Sequence, residues 1–301
     1  MRLRQAIILI LLLVLMPCVT AQAKNAPSHD VTENSAIPVL PPLYTVYDVY
    51  VGGFHLVHTR VWSEERDGKY QVVVKGATYG IWAKLFSWNT FVEAHGRIKG
   101  EHLVPKELYV RDEWWHKPKI TKLHFDDKGN GGGGVVPEFD PPNHDKDREI
   151  VTDAQKKNTL DPITGMLQML VHVATDDDCN VTVPLFDGKR RFDITGKDAG
   201  YSVIDDFDDT IYKGRARLCT AEFNLISGAW NNGEHARFWQ KSETENGRDP
   251  FQIWLASPGP ELPEMAVRLE SGSVVGLIVA HMTSWRYASE DEIKDEAKSP
   301  Y

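Results

Sequence analysis

Thr90-Phe91-Val92-Glu93-Ala94-His95-Gly96-Arg97-Ile98 is the stretch whose reading decides the fold. Thr90, Val92, Ala94 and Ile98 fall on one face of an extended chain, and Glu93, His95 and Arg97 fall on the other. A period of two is that of a strand with one face buried and one face wet. Working outward, Tyr44–Val51, Phe54–Ser63, Tyr70–Lys75, Val104–Arg111 and Lys119–Phe125 read as further strands, rich in β-branched and aromatic residues. Toward the C-terminus, Asn180–Phe186, Arg190–Thr195, Arg215–Leu225, Phe251–Ala256, Met265–Glu270 and Val274–Trp285 continue the series. Gly52-Gly53 and Asp187-Gly188 are hairpin turns, because their residues adopt positive φ at little cost. The expected fold is mainly β: a large antiparallel, curled or barrel-like sheet of about a dozen strands.

One segment departs from this period. Asp161 is an N-cap before Pro162 at the first helical position. Behind it, Ile163, Met166, Leu167, Leu170, Val171 and Ala174 make an apolar stripe, and Thr164, Gln168 and His172 a polar one. This amphipathic helix is expected to cover the curved sheet, with Leu167 and Leu170 buried against it. The single β domain is expected to span residues 43–288, with two sub-halves meeting near 137–160, followed by a charged tail at 289–301.

The N-terminus carries a different message. Arg2 and Arg4, the apolar run Ile7–Met16 and the small-x-small site Ala21-Gln22-Ala23 have the layout of a secretory signal peptide over residues 1–23. The run is about half of the roughly 20 residues a membrane-spanning helix needs. Pro17 precedes Cys18 where a lipoprotein signal needs a small residue, so Cys18 is read as leaving with the leader. Residues 24–42, polar and proline-bearing, read as a flexible leader to the domain. Of three cysteines, Cys179 and Cys219 then remain, and in an oxidising compartment they are expected to form one disulfide.

Charge and motifs exclude more than they assign. Removing Arg2 and Arg4 takes the formal charge from −9 to −11. An acidic protein with no basic run longer than Lys189-Arg190-Arg191 is a poor candidate for nucleic acid or for anionic lipid surfaces. The sequence has no Gly-x-Ser-x-Gly, His-Glu-x-x-His or Ser-x-x-Lys, and Gly131–Gly134 lacks the Gly-Lys-Ser/Thr of a phosphate loop. No catalytic residue and no cofactor is therefore assigned. His55 and His58, three apart on a strand, are expected on opposite faces, which argues against a shared metal. The acidic runs Asp176–Asp178 and Asp205–Asp209 lack the spacing and glycine of a calcium loop.

Asp161-Pro162-Ile163-Thr164-Gly165-Met166-Leu167, Phe186-Asp187-Gly188-Lys189-Arg190-Arg191-Phe192-Asp193, Cys219 with Ile226-Ser227-Gly228, and Ile253-Trp254-Leu255-Ala256 follow in order. Together with Tyr47-x-Val49-Tyr50 and Gly52-Gly53, they resemble the bacterial domain-of-unknown-function family 3108 over roughly residues 43–285. The resemblance implies an exported, periplasmic protein of Gram-negative bacteria and brings no activity with it. The barrel-like character is similar in kind to that of lipoprotein-carrier half-barrels, in which helices cover an apolar concave face.

Nine tryptophans are a mild excess. Trp82, Trp88, Trp114 and Trp115 lie close in sequence, around a segment (80–87) placed to cap the mouth of the barrel. Three classes of function compete. The first is a non-enzymatic periplasmic protein that binds an apolar or amphipathic envelope ligand or acts as an envelope scaffold. The ligand is expected between the helix, through Leu167 and Leu170, and the concave sheet, with Trp82 and Trp88 at the rim. The second is a carbohydrate or peptidoglycan binder that uses the tryptophans, and the third a hydrolase without a linear motif. The partner is expected to be a lipid or other envelope component, with no transmembrane segment left after cleavage of the leader. The exported protein is expected to begin at Lys24. Intact mass of material purified from the periplasm checks this, and an acylated Cys18 at the terminus would refute it.

Overall fold

The computed structural model describes residues 41–126, 134–143, 147–205, 210–230, 251–260, 262–273 and 276–299. The leader, most of the glycine run and Asp206–Asp209 lie outside them. Thirteen strands make one antiparallel sheet: β1 (Leu43–Val51), β2 (Phe54–Arg66), β3 (Lys69–Thr78), β4 (Trp88–Lys99), β5 (His102–Trp114), β6 (Lys117–Phe125), β7 (Val135–Asp140), β8 (Thr182–Phe186), β9 (Arg191–Ile204), β10 (Gly214–Ser227), β11 (Phe251–Ala256), β12 (Met265–Ser273) and β13 (Gly276–Tyr287). Their spatial order is β7-β6-β5-β4-β3-β2-β1-β13-β12-β11-β10-β9-β8. Each strand pairs with its sequence neighbour, the first pairs with the last, and the two free edges are β7 and β8. An up-and-down meander of this kind is a closed barrel but for one seam, and the seam lies where the chain leaves the sheet to build helices.

Four helices occur among the described residues: α1 (Trp82–Leu85), α2 (Asp153–Lys156), α3 (Pro162–Asp176) and α4 (Glu290–Lys298). The sheet curls far enough for α3 to touch β4, β5 and β8. The β8–β9 turn at Gly188 packs against Thr121, Leu123 and Phe139 of β6 and β7, across the seam. The free edge of β8 is also covered: Leu160 bridges Leu185, donating its N–H to the Pro184 carbonyl (2.9 Å) and accepting from Phe186 N–H (2.9 Å). This pairing occupies the Pro184–Phe186 end of the edge and shortens what is open to another strand.

The amphipathic pattern of α3 is only half right at its first turn. Six consecutive residues, Pro162 to Leu167, are buried, so this end of the helix is enclosed on all sides. Thr164 does not face solvent with Gln168 and His172; it is wholly buried. The reason is the cap. Asp161 Oδ1 accepts from the N–H groups of Ile163 and Thr164 (both 3.0 Å), and Oδ2 accepts from Thr164 Oγ1 (2.5 Å). Tyr70 Oη on β3 lies 2.7 Å from Thr164 Oγ1. The network ties the helix N-terminus to the far side of the sheet. Two glycines make the approach feasible: a Cβ at Gly165 would lie 2.1 Å from Leu185 Cδ2, and one at Gly96 would lie 2.5 Å from Tyr70 Oη. Leu167 and Leu170 are buried in the same core.

The other end of α3 is pinned as firmly. Asp177 closes it in the left-handed conformation (φ 58°). The buried Arg217 of β10 donates to the Asp177 carbonyl (2.7 Å) and to Asp198 Oδ2 (2.9 Å), and pairs with the Asp177 carboxylate. A cation at the C-terminus of a helix is favoured by the helix dipole. Two residues beyond each partner, Cys179 and Cys219 form a disulfide across a sequence separation of 40. On the outer face, α4 docks through Ile293 on Trp62, Val73 and Phe91, which anchors part of the charged tail.

Burial, opposed by hydrogen bonds from Thr164 and Ile163, pushes the Asp161 carboxyl up from 3.8 to about 6. Between about pH 4 and 6 the folded state therefore holds a proton that the unfolded chain, with a carboxyl near 3.9, has released. Stability falls as pH rises through that window, and the cost is complete above it. Asp161→Asn keeps a capping oxygen and removes the titration. In urea unfolding from pH 4 to 7, the parent is expected to lose stability relative to Asp161→Asn as pH rises, and a constant difference refutes the assignment. Asp161→Ala, which leaves buried donors without an acceptor, is expected to cost about 2–4 kcal/mol at any pH in that range.

The disulfide closes a loop worth on the order of 4 kcal/mol in the chain-entropy model. Cys179→Ala/Cys219→Ala is expected to lose about 2–5 kcal/mol in guanidinium unfolding. An unchanged midpoint means that the hydrogen bonds of Arg217 alone hold this end of the helix.

Candidate functional site

Alternate turns of an antiparallel meander fall at the same end of the sheet. At one end these are the β1–β2 turn (52–53), the β3–β4 connection with α1 (79–87) and the β5–β6 turn (115–116). Gly52 N–H donates to the Leu277 carbonyl (2.9 Å), which brings the start of β13 to the same end. This mouth carries large apolar side chains in solvent: Phe54 is 61% exposed, Tyr79 51%, Ile81 67%, Leu85 59% and Trp115 47%. Half-buried Trp82 lies among them and meets Phe54 edge-on (5.6 Å) and Phe86 (5.7 Å). Trp115 N–H donates to the Ser87 carbonyl (3.0 Å) and so holds the β5–β6 turn against the α1 connection. Exposed Lys84 and Lys117 stand beside them. Large side chains clustered in solvent bring no stability to the fold and mark an interaction surface.

The two tryptophans assigned to the rim divide. Trp82 is half-buried at the mouth, within the apolar cluster just described. Trp88 is not at the rim: it is buried in the core beside Trp114, with ring centroids 5.8 Å apart. Position 88 begins β4 on its inward face, so its indole fills the interior. Leu167 and Leu170 also lie in the core. The space lined by Met169, Leu170, Val173, Val181, Ile253 and Leu255 measures about 10 Å³, room for about one water. Beside the helix rather than beneath it, a groove of about 290 Å³ runs between α3, β5 and β8, floored by Leu103, Leu160 and Val183 and edged by Gln168, His172 and Asp176.

A second constellation occupies the outer face next to the mouth, and it overturns the expectation for His55 and His58. The two histidines share a face. Across the first hairpin Tyr50 stands opposite His55, but Val49 stands opposite Val57, so Leu56 is an extra residue in β2. A bulge of one residue inverts the alternation beyond it; without it positions 55 and 58 would point apart. Asp48 of β1 lies between them: its Oδ1 is 2.7 Å from His58 Nδ1 and 3.1 Å from His55 Nε2. On the other side of β1, His281 of β13 is the register partner of Asp48. Tyr50 stacks on His55 (4.9 Å) and His281 (5.0 Å), and Tyr79 stacks on His55 (4.2 Å). Burial raises the Asp48 carboxyl, but the hydrogen bond from His58 and the positive field of His55, His58 and His281 outweigh it and hold the group below its usual value. Asp48, Tyr79 and His281 carry no motif in the sequence, and Tyr50 enters only as part of the Tyr47-x-Val49-Tyr50 resemblance, because the bulge and the β1–β13 closure assemble them.

An up-and-down antiparallel sheet curled around a helix pinned at both ends, and open along one seam, defines a barrel-like β protein. The chain belongs to the DUF3108 family of proteins of unknown function, whose model matches residues 46–283. A comparison with curated proteins returned no match. Among solved structures, the chain is similar to a β-barrel-like protein of domain of unknown function DUF1849 from Brucella abortus. The two are 13% identical over 83% of this chain and 99% of that one, with a TM-score of 0.49.

Proposed function

We propose that this is a periplasmic, non-enzymatic envelope protein that docks on lipid through the mouth of its curled sheet. The observation that carries the reading is the cluster of Phe54, Tyr79, Ile81, Leu85 and Trp115, each about half exposed or more, at one end of the molecule. Aliphatic side chains with Trp and Tyr beside them, and lysines at the margin, are the composition of a segment that sits at a lipid headgroup boundary. The chain as a whole is acidic, yet at this end Lys84 and Lys117 are exposed and complement phosphate. Each inserted side chain contributes roughly 1–2 kcal/mol, since part of its surface is already covered. Four of them give reversible attachment of micromolar to millimolar strength. Export is supported by the leader-like residues 1–23 and by the Cys179–Cys219 bond.

The lipid site moves from beneath the helix to the mouth for a physical reason: the space lined by Met169 and Leu170 takes about one water, whereas the apolar surface at the mouth is open. The reading as a sugar binder is weaker, since Trp88 and Trp114 lie buried against each other in the core, their rings tilted by 47°, and are not open to a sugar ring.

Co-sedimentation of the mature protein with vesicles of phosphatidylcholine and phosphatidylglycerol tests the proposal. The parent is expected in the pellet, with the bound fraction at least about tenfold lower for Ile81→Asp/Leu85→Asp. Both substitutions are at exposed positions and spare the fold. A parent that stays in the supernatant, or a variant that binds as well, refutes docking by the mouth and leaves an envelope scaffold as the better reading.

A further inference from the structure

The geometry points to a divalent-cation site on the outer face of the sheet, made by Asp48, His55 and His58 and suited to zinc or another first-row ion that takes imidazole. One donor atom from each of Asp48, His55 and His58 lies within 4.8 Å of the other two, and Asp48 Oδ1 is the atom that His55 Nε2 and His58 Nδ1 both approach. Zinc bonds of about 2.0–2.2 Å in a tetrahedron put neighbouring ligand atoms roughly 3.3–3.6 Å apart. The two nitrogens lie 3.1 and 2.7 Å from the carboxylate oxygen, inside that separation; His58 Nδ1 is hydrogen-bonded to it, whereas the buried His55 Nε2 makes no hydrogen bond among the described residues. Entry of a cation replaces those two contacts by bonds to the metal and needs only a small spreading of the rings. His58, 39% exposed, has the room to make it.

Two imidazoles and one carboxylate form a donor set chosen by zinc, copper(II), nickel or iron(II) rather than by calcium or magnesium, which prefer oxygen. The surroundings give the set the support that metal sites have. His55 is held by Tyr79 on stacking contact and by Tyr50, and Tyr50 is itself stacked on the buried His281. Rings fixed in this way lose little freedom when they take a ligand, and such outer contacts orient the ligands themselves. Asp48 and His58 are register partners on neighbouring strands, so the sheet itself sets the spacing of two of the three donors. The third enters only through the bulge at Leu56, a device that folding of the hairpin does not require. Three protein ligands on a partly open face leave at least one coordination position for water or an exogenous donor.

Two other histidines also stand between carboxylates and serve as internal controls. His124 lies 3.1 Å from Glu107 and 3.5 Å from Glu138, and His172 lies 2.9 Å from Asp176 and 3.1 Å from Asp178. Each offers a single imidazole, and a site there would be weaker.

Isothermal titration of the chelator-stripped, full-length mature protein with zinc chloride tests the inference, without lipid present. One equivalent is expected to bind, with affinity at least about tenfold lower for His55→Ala, His58→Gln and Asp48→Asn, and unchanged for His124→Ala and His172→Ala. Circular dichroism and melting temperature establish that the variants are folded. His58→Gln, at a half-exposed position, keeps the test decisive if another variant does not fold. Absence of zinc binding to the parent, binding that survives in His58→Gln, or loss of binding in His124→Ala or His172→Ala overturns the assignment.

Discussion

A buried carboxylate held by three hydrogen-bond donors is the constraint on which the rest of this structure depends. Asp161 is fully enclosed, and an ionised group in that position is costly unless its oxygens are occupied. Two backbone N–H groups and the Thr164 hydroxyl occupy them, and Tyr70 completes the chain of hydrogen bonds to β3. The arrangement works only if the first turn of α3 lies inside the curl of the sheet. That in turn requires glycine at 165, facing Leu185, and at 96, facing Tyr70. It also explains the seam. A closed barrel of thirteen strands would have to pair β7 with β8, and the segment between them is the one that turns inward to carry Asp161. Leu160, one residue before the cap, takes part of the pairing that β8 would otherwise lack.

Much of this was legible in the sequence because the sheet is half-buried and its alternation is therefore strong. Thr90–Ile98 lies within β4 as read, and the Gly52-Gly53 and Asp187-Gly188 turns lie where the hairpins turn. The Asp161-Pro162 start of the helix and the pairing of Cys179 with Cys219 were also readable, from cap chemistry and from cysteine count. The strand β7 was not. It is an edge strand of six residues with Pro137 in its middle and Glu138 and Asp140 beside it, and an edge needs neither a full set of donors nor an alternating pattern. The burial of Thr164 escaped because a four-residue spacing cannot distinguish a solvated threonine from one that serves a cap.

The clearest failure of period-two reasoning concerns His55 and His58. Strict alternation separates them, and a bulge unites them. The signal was present in the apolar doublet Leu56-Val57 between the two histidines: both are buried in the core, which an unbroken strand cannot do with adjacent residues. Trp88 shows the converse limit. Its proximity in sequence to Trp82 says nothing of the face it takes, and the first inward position of β4 places it in the interior.

The division of labour between the two ends of the molecule follows from the same physics. The helix, its cap, the disulfide and Arg217 fill the interior, and the polar groups of Asp161, Thr164, Tyr70 and Arg217 hold the helix in place. At the mouth, the turns need only reverse the chain, so Phe54, Ile81 and Leu85 stand in water where polar residues would have served the fold better. The outer face beside them carries a bulge that the core does not ask for, and three donor side chains that it brings together. Tyr79 belongs to both: one of the exposed mouth residues, it is also the ring on which His55 stacks. A group docked at the mouth and a ligand held by His55 would share that ring, so the two surfaces are in contact through one side chain.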